Sequence, residues 1–576
     1  MLQLHSMRKI EDLMSFPLPQ FTLREVLENT KRRYSMYPAL SFVDEEPMLY
    51  EDFYNSVSAV SGLLAENGIS HGDTVAILSE NCPHWPIAYF AVCSMGAIAV
   101  PILVDFHPEA VQHIIKHSEA KAVFVSEKMM PKLSEADAND APLLINIESF
   151  KPITAGLSRD MLQDLKEAGF REFRKLRALA RRAANRVPQE PREDDVAAII
   201  YTSGTGGFSK GVVLTHRNIV FNAFLVQDVI SISNEDRFLS ILPLAHTYEC
   251  TIGMVLPIIY GAQIFYLGAA PTARVLLPAL TTVKPTAMAS VPLVVEKIFK
   301  NNIKPKLTGN RLLRYLYSFP LTRRFLHRTA AKKLFNTFGG KIRILAIGGA
   351  PLAPDVDLFL NEGGFPYGLG YGMTEASPLI AGAGPEIVKV ASCGRVLPGL
   401  RVRIDEPDSA TGIGEILVKG PTVMREYFKA PELTDETIDE DGWLHTGDLG
   451  TLDDDGFLFI KGRSKNMLLG ASGENIYPEE IEAELLQFPE VLECLVYMHQ
   501  GQLIARVHLD LTKLDADFGS LNEAKRNEAT SGRLEEIRAQ TNARLASFAR
   551  LRKIIEQPEP FEKTATQKIK RYLYLD

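Results

Sequence analysis

The chain has 576 residues, 46% of them hydrophobic and 23% charged, with a formal net charge of −8. That length and composition predict about four compact units with sizeable cores and exclude wholesale disorder. The negative balance argues against a protein that mainly coats nucleic acid, and five scattered cysteines with no CxxC pair read as reduced thiols in a cytoplasmic protein.

The first sixteen residues, MLQLHSMRKIEDLMSF, lack the apolar stretch of a secretion signal. Strand-like runs then alternate with helical ones. DTVAILS (73–79) is followed by helical PHWPIAYFAVCSMGA (83–97), then AVPIL (99–103) and AKAVFVS (120–126). Further along come VAAIIYTS (196–203), RFLSILPL (237–244), PTAMASV (285–291) and IRILAIGG (342–349). Strands separated by helix-length segments predict parallel sheets covered by helices. The uncharged stretch from Cys250 to Thr272 is long enough to cross a bilayer, but Pro257, Gly261 and Gln263 divide it, so it reads as a buried helix and then a buried strand.

After about residue 395 the texture changes. LRVRID, GEILVKG and WLHTGDLGTLDDDGFLFIKGR carry dense Gly and Asp turns, which suits small antiparallel β structure. Beyond Arg463 a helix (PEEIEAELLQF) and two strands (LECLVYM, LIARVHL) precede a basic tail, so the expected division is 1–463 and 464–576. Two basic amphipathic stretches stand out, at 170–186 and 311–335. Their arginines suit a water-facing helix, an anionic lipid surface at the inner face of a membrane, or nucleic acid.

One loop has the makings of a phosphate site. TSGTGGFSKG follows the strand VAAIIY and sets Gly204, Gly206, Gly207 and Gly211 among Thr202, Ser203 and Thr205. Glycines let backbone NH groups converge on an oxyanion, and Lys210 adds a compact positive charge. Ser209 and Gly211 flank that lysine, which is not the P-loop order. On its own the loop could equally be a turn.

It is not alone. YTSGTGGFSKG resembles the phosphate-loop signature of the adenylate-forming superfamily, which includes acyl-CoA synthetases, luciferases and peptide-synthetase adenylation domains. LPLAHTYE (242–249), AIGGAPL (346–352), GYGMTE (370–375), GWLHTGDLG (442–450), KGRSKNMLLGASGENIYPEEIE (461–482) and KTATQKIKR (563–571) continue the likeness in order. LPLAHTYE and SVPLVVEKIF look most like long-chain acyl-CoA synthetases. The resemblance implies an α/β fold with a large N-terminal domain of two parallel-type subdomains plus a small β-barrel. A small mobile α+β C-terminal domain would follow.

The resemblance also implies roles. Glu375, alone a surface acid by its context, becomes the Mg²⁺ ligand beside ATP, and Thr374 bonds the α-phosphate. Tyr371 lies against the adenine, with Gly349, Ala350 and Pro351 as the opposite wall. Asp448 takes both ribose hydroxyls, Arg463 the ribose and phosphate, and Thr202 through Gly207 with Lys210 the polyphosphate. Lys568 reaches the carboxylate and α-phosphate, where charge between two anions is needed. His246 orients the acyl carboxylate. Lys465 marks a hinge, because the small domain must swing between adenylation and thiol attack. Ser472 and Gly473 line the pantetheine path of coenzyme A.

The activity so implied joins a medium- to long-chain fatty acid to coenzyme A through an acyl-adenylate. An acyl carrier protein as acceptor and a non-catalytic binding scaffold are the rivals. Three departures from the family pattern, Gly206, Ser209 and Gln567, predict activity with slower adenylation.

Overall fold

The computed structural model describes residues 18–133, 142–153, 190–203, 209–469, 475–510, 523–564 and 568–575. Its apolar runs assemble into two large sheets. Thr74–Leu78, buried along its whole length, lies between Ile98–Pro101 and Ala122–Val125 in a seven-stranded sheet, all three parallel. The second sheet has nine strands. Pro38–Phe42, Gln263–Tyr266, Arg237–Ser240, Ala287–Ser290, Ile344–Ile347 and Tyr367–Gly372 run parallel in that spatial order, and Leu379–Ala383 turns back antiparallel. Strands buried on both faces need no polar alternation, which is why these runs are continuously apolar.

The helix His84–Ser94 is apolar all round, and its first ten residues are buried. Such a helix must be enclosed on every side. It shares one core with Val75 and Ile77 of the seven-stranded sheet and Leu40 and Ile264 of the nine-stranded one. The uncharged stretch resolves as expected into helical turns (Glu249–Val255, Leu256–Ile259) and the strand Gln263–Tyr266. Among the described residues no helix is long and apolar enough to cross a membrane.

The Gly- and Asp-rich region forms a four-stranded antiparallel sheet of Arg401–Asp405, Gly414–Lys419, Leu444–Leu452 and Leu458–Arg463. Past it, Val491–His499 and Gln502–Leu509 make a hairpin that Lys553–Glu556 extends in parallel. These strands pack with the helices Pro478–Leu485 and Glu523–Asn542 around a core of their own, drawn from Ile476 to Ile554. All five cysteines are free, and Cys82, Cys93, Cys250 and Cys494 are buried. Of the two basic stretches, 170–186 lies outside the described residues. The other forms two helices, Arg311–Tyr317 and Pro320–Thr337, parted where Pro320 starts a new helix at its first turn.

Candidate functional site

The strands on either side of the glycine-rich segment pair as a hairpin. Val196–Ser203 and Ser209–Thr215 pair antiparallel, with Thr202 opposite Lys210 and Ser203 opposite Ser209. A P-loop would lead straight from a strand into a helix; here the helix His216–Val226 begins only after the second strand. Gly204, Thr205, Gly206 and Gly207 lie outside the described residues.

Beside the hairpin, the strand Tyr367–Gly372 ends and a single 3₁₀ turn, Thr374–Ala376, carries Glu375. Gly372 is required there, since a Cβ would stand 2.0 Å from the Pro378 carbonyl oxygen. Tyr427 donates its hydroxyl to Glu375 Oε1 at 2.7 Å, and the Lys210 ammonium stands 4.9 Å from the centre of the Tyr427 ring. Tyr427 arrives by pairing opposite Val212 on the hairpin's second strand. Nothing in the local sequence of Tyr427 announces this role; only the pairing of Glu426–Tyr427 with that hairpin reveals it.

Asp448 and Arg463 face each other across adjacent strands. Arg463 Nε lies 3.0 Å from Asp448 Oδ1, and the Tyr371 hydroxyl donates to Oδ2 at 2.7 Å. Both carboxylate oxygens are thus oriented, on a residue only 5% exposed. Burial, then the Asp448 charge, pushes the Tyr371 phenol well above its ordinary range.

His246, Thr374 and Gly349 line a cavity of about 640 Å³, counting the space open to solvent, which Val226, Ile252 and Leu369 continue as apolar wall. Gly349, Ala350 and Pro351 are exposed. Burial, aided by the Lys568 charge, pulls His246 down to about 4, so its ring is neutral at pH 7. Its Nδ1 accepts from the Tyr248 N–H at 3.2 Å. The ring proton therefore sits on Nε2, which makes that atom a donor.

Lys568 belongs to the same cleft. Its ammonium is held below the ordinary lysine value first by loss of surrounding water, then by Arg463, while Asp448 and Glu375 act in the opposite sense. Water still reaches the side chain. The tail that carries it is anchored nearby: Arg571 reaches Glu482 at 2.5 Å and Glu479 at 3.6 Å, both on the helix Pro478–Leu485. Lys465 is exposed on the 3₁₀ turn Ser464–Asn466, between the four-stranded sheet and the C-terminal core. Ser472, Gly473 and the departure Gln567 lie outside the described residues. The structure thus brings together Lys210, His246, Thr374, Glu375, Asp448, Arg463 and Lys568, from segments up to 358 residues apart in sequence.

Among the described residues no cluster of three or more His, Cys, Asp or Glu could hold a metal by itself. A lone carboxylate fits Mg²⁺, which keeps several waters and takes its remaining ligands from substrate phosphates. Zinc, which wants three or four protein ligands, does not fit.

Two neighbours of the site carry predictions. Tyr427→Phe is expected to lower kcat/KM for ATP about tenfold, the worth of one hydrogen bond to a charged group. Equal kinetics at limiting Mg²⁺ would exclude that part for the hydroxyl. Glu249, 1% exposed, accepts from Ser240 Oγ at 2.6 Å on Oε1, while Oε2 has no partner. Burial pushes its carboxyl up to about 8 from an ordinary 4.5. Between those values the folded chain keeps a proton that the unfolded chain has lost, so stability falls as pH rises through that window. Glu249→Gln removes this slope, and thermal midpoints of the two proteins should diverge from about pH 5 to about pH 8 in favour of the variant.

Lys210 and Glu375 meet about Tyr427 beside a largely apolar cavity, an arrangement that suits an enzyme handling an anionic substrate together with an apolar one. Residues 27–428 match the family described as AMP-binding enzyme, and the chain belongs to that family. It is 30% identical to the peroxisomal long chain acyl-CoA synthetase 6 of Arabidopsis thaliana, over 92% of this chain and 80% of that one. Long-chain-fatty-acid–CoA ligase 1 of Cavia porcellus is 29% identical, over 91% of this chain and 80% of its own. The fold is also that of the O-succinylbenzoate coenzyme A synthetase of Bacillus subtilis, solved with ATP and a magnesium ion. That match has a TM-score of 0.71 at 22% identity, over 95% of this chain and 98% of the other.

Proposed function

We propose that this protein is an AMP-forming fatty acid–CoA ligase for long-chain acids. The observation that carries the reading is the convergence of Lys568, from the C-terminal core, on the cleft that holds Glu375, Asp448 and Arg463 beside an apolar cavity. The similarity to long-chain ligases over most of the chain supports it.

In the first step a carboxylate oxygen attacks the α-phosphorus of ATP and pyrophosphate leaves. Lys568 lies between the two anions and holds both, while the Nε2–H of neutral His246 orients the carboxylate. Thr202, Ser203, the 204–207 backbone and Lys210 take the β- and γ-phosphates. Thr374 takes the α-phosphate. Asp448 accepts from both ribose hydroxyls with Arg463 alongside, and Tyr371 and Gly349–Pro351 enclose the adenine. Glu375 would hold Mg²⁺, which would supply further positive charge to the phosphates when bound. In the second step the coenzyme A thiol attacks the acyl carbon and AMP leaves.

A lysine that bridges the two anions in the first step would obstruct the thiol in the second, so the two steps call for two orientations of the C-terminal unit. We place the boundary after Arg463, the hinge at Lys465, and the pantetheine path along Ser472 and Gly473. The separate core from Ile476 to Ile554 supports a unit able to move as one body.

Pyrophosphate release with MgATP and a ladder of fatty acids, with and without coenzyme A, tests this. Turnover driven by long-chain acids and completed only with coenzyme A supports the ligase. Completion by a phosphopantetheine carrier protein in its place would transfer the reading to that acceptor. ATP binding with no pyrophosphate release for any acid would sink it.

A further inference from the structure

The second basic stretch has no part in the cleft, and its surface is unusual for this chain. Residues 292–341 hold twelve lysines and arginines against a single acid, Glu296, in a protein whose net charge is −8. Within this span Leu312, Tyr315, Phe319, Leu321 and Phe325 are exposed, Leu321 by 85% and Phe325 by 72%. The helix Pro320–Thr337 has two apolar stripes. His327, Ala331 and Leu334 are buried, on a helix that packs against Pro354–Gly363, whereas Leu321 and Phe325, one turn apart, are left to water. Tyr315 and Phe319 stack edge to face at 5.0 Å and extend the exposed apolar set toward the preceding helix.

Around these tips stand Arg311, Arg314, Arg324, Arg328, Lys332 and Lys333, all exposed. Among the described residues no acid pairs with them, whereas Lys304 and Arg323 of the same segment are held by Asp355 and Glu362. Large apolar side chains so exposed are disfavoured unless something covers them.

We propose that the ridge formed by Arg311–Tyr317 and Pro320–Thr337 docks the protein on an anionic lipid bilayer. Its charge is complementary to lipid phosphates, and its exposed leucines and aromatics match the apolar layer just beneath them. Leu312 and Tyr315 are exposed by 65% and 63%, close to Leu321 and Phe325, so these tips stand well out into water, which suits insertion between lipids. The ridge also packs on the helix that directly follows the Gly349–Pro351 wall, two elements from the cavity. The docking is independent of the ligase reading, because it needs no turnover.

Sedimentation with vesicles tests it, in the absence of substrates. The full chain is expected to partition onto vesicles of phosphatidylcholine with about 30 mol % phosphatidylglycerol, poorly onto phosphatidylcholine alone, and less as salt is raised. Arg324→Gln, Arg328→Gln and Lys332→Gln together should lower partitioning about 100-fold. Leu321→Ser with Phe325→Ser should lower it at least tenfold even at low salt. Circular dichroism melts matching the parent would show that both variants fold. Unchanged partitioning in these variants, or no preference for phosphatidylglycerol, would overturn the proposal. So would binding of an acidic carrier protein that the same variants abolish while vesicles bind nothing.

Discussion

Replacing Lys568 by alanine is expected to lower acyl-adenylate formation about a thousandfold, the range seen when one pre-positioned stabiliser of transition-state charge is removed. Thioester formation from a chemically supplied acyl-adenylate should stay within about twofold, because the proposed mechanism uses the lysine only in the first step. A general loss of structure would depress both halves alike, so the split is the measurement that decides. The pH profile adds a second readout. Lys568 works protonated, and its environment holds it below the ordinary 10.5. Adenylation should therefore fall on the alkaline side as pH rises through that lowered value, and thioester formation should lack this limb. Lys568→Arg keeps the charge at all such pH values and should abolish the limb even if its rate is lower. Equal loss in both half-reactions would remove Lys568 from the proposed role.

Glu375→Gln is expected to lower adenylation by about a hundredfold and to raise the Mg²⁺ concentration needed for half-maximal rate. The amide is nearly isosteric and can still accept from the Tyr427 hydroxyl, so the fold of the turn Thr374–Ala376 should survive. What is lost is the negative charge that a hard divalent cation requires. Titration of pyrophosphate release with Mg²⁺ at saturating ATP separates the cases. A variant with the same metal dependence as the parent would place the ion elsewhere.

On the proposed mechanism, the acid and the lysine are best supplied by separately moving parts of the chain. A cleft that must first enclose two anions and then admit a thiol cannot be lined by one rigid wall. Arg571 and Glu482 tie the Lys568 tail to the C-terminal core, so whatever moves that core carries the lysine with it.

Much of this was legible before any coordinates. Continuous apolar runs such as Thr74–Leu78 foretold strands of parallel sheets, and Pro257 and Gly261 broke the uncharged stretch, long enough for a membrane span, into a helix and a strand. The site motifs could be named in order only through their resemblance to the adenylate-forming superfamily; alone, Glu375 reads as a surface acid and the glycine-rich loop as a turn. Other features had no local signal. Tyr427 meets Glu375 only because a two-residue strand pairs with the hairpin, and Asn81 donates to Ser240 and to the Leu242 carbonyl, steadying the loop that bears His246. The exposure of Leu321 and Phe325 was equally invisible, since their helix is apolar on two sides and only packing selects which one is covered.

By itself, then, the sequence determined the alternation of strands and helices, the order of the motifs that resemble the adenylate-forming superfamily and the excess of positive charge in 292–341. Each of these depends on side-chain type and short spacing. The tertiary structure alone decided which side chains meet across hundreds of residues, that His246 is neutral, and that one apolar stripe of the Pro320–Thr337 helix is left to water. Pairing register, burial and the field of distant charges arise only when separate segments are brought within a few ångströms of one another.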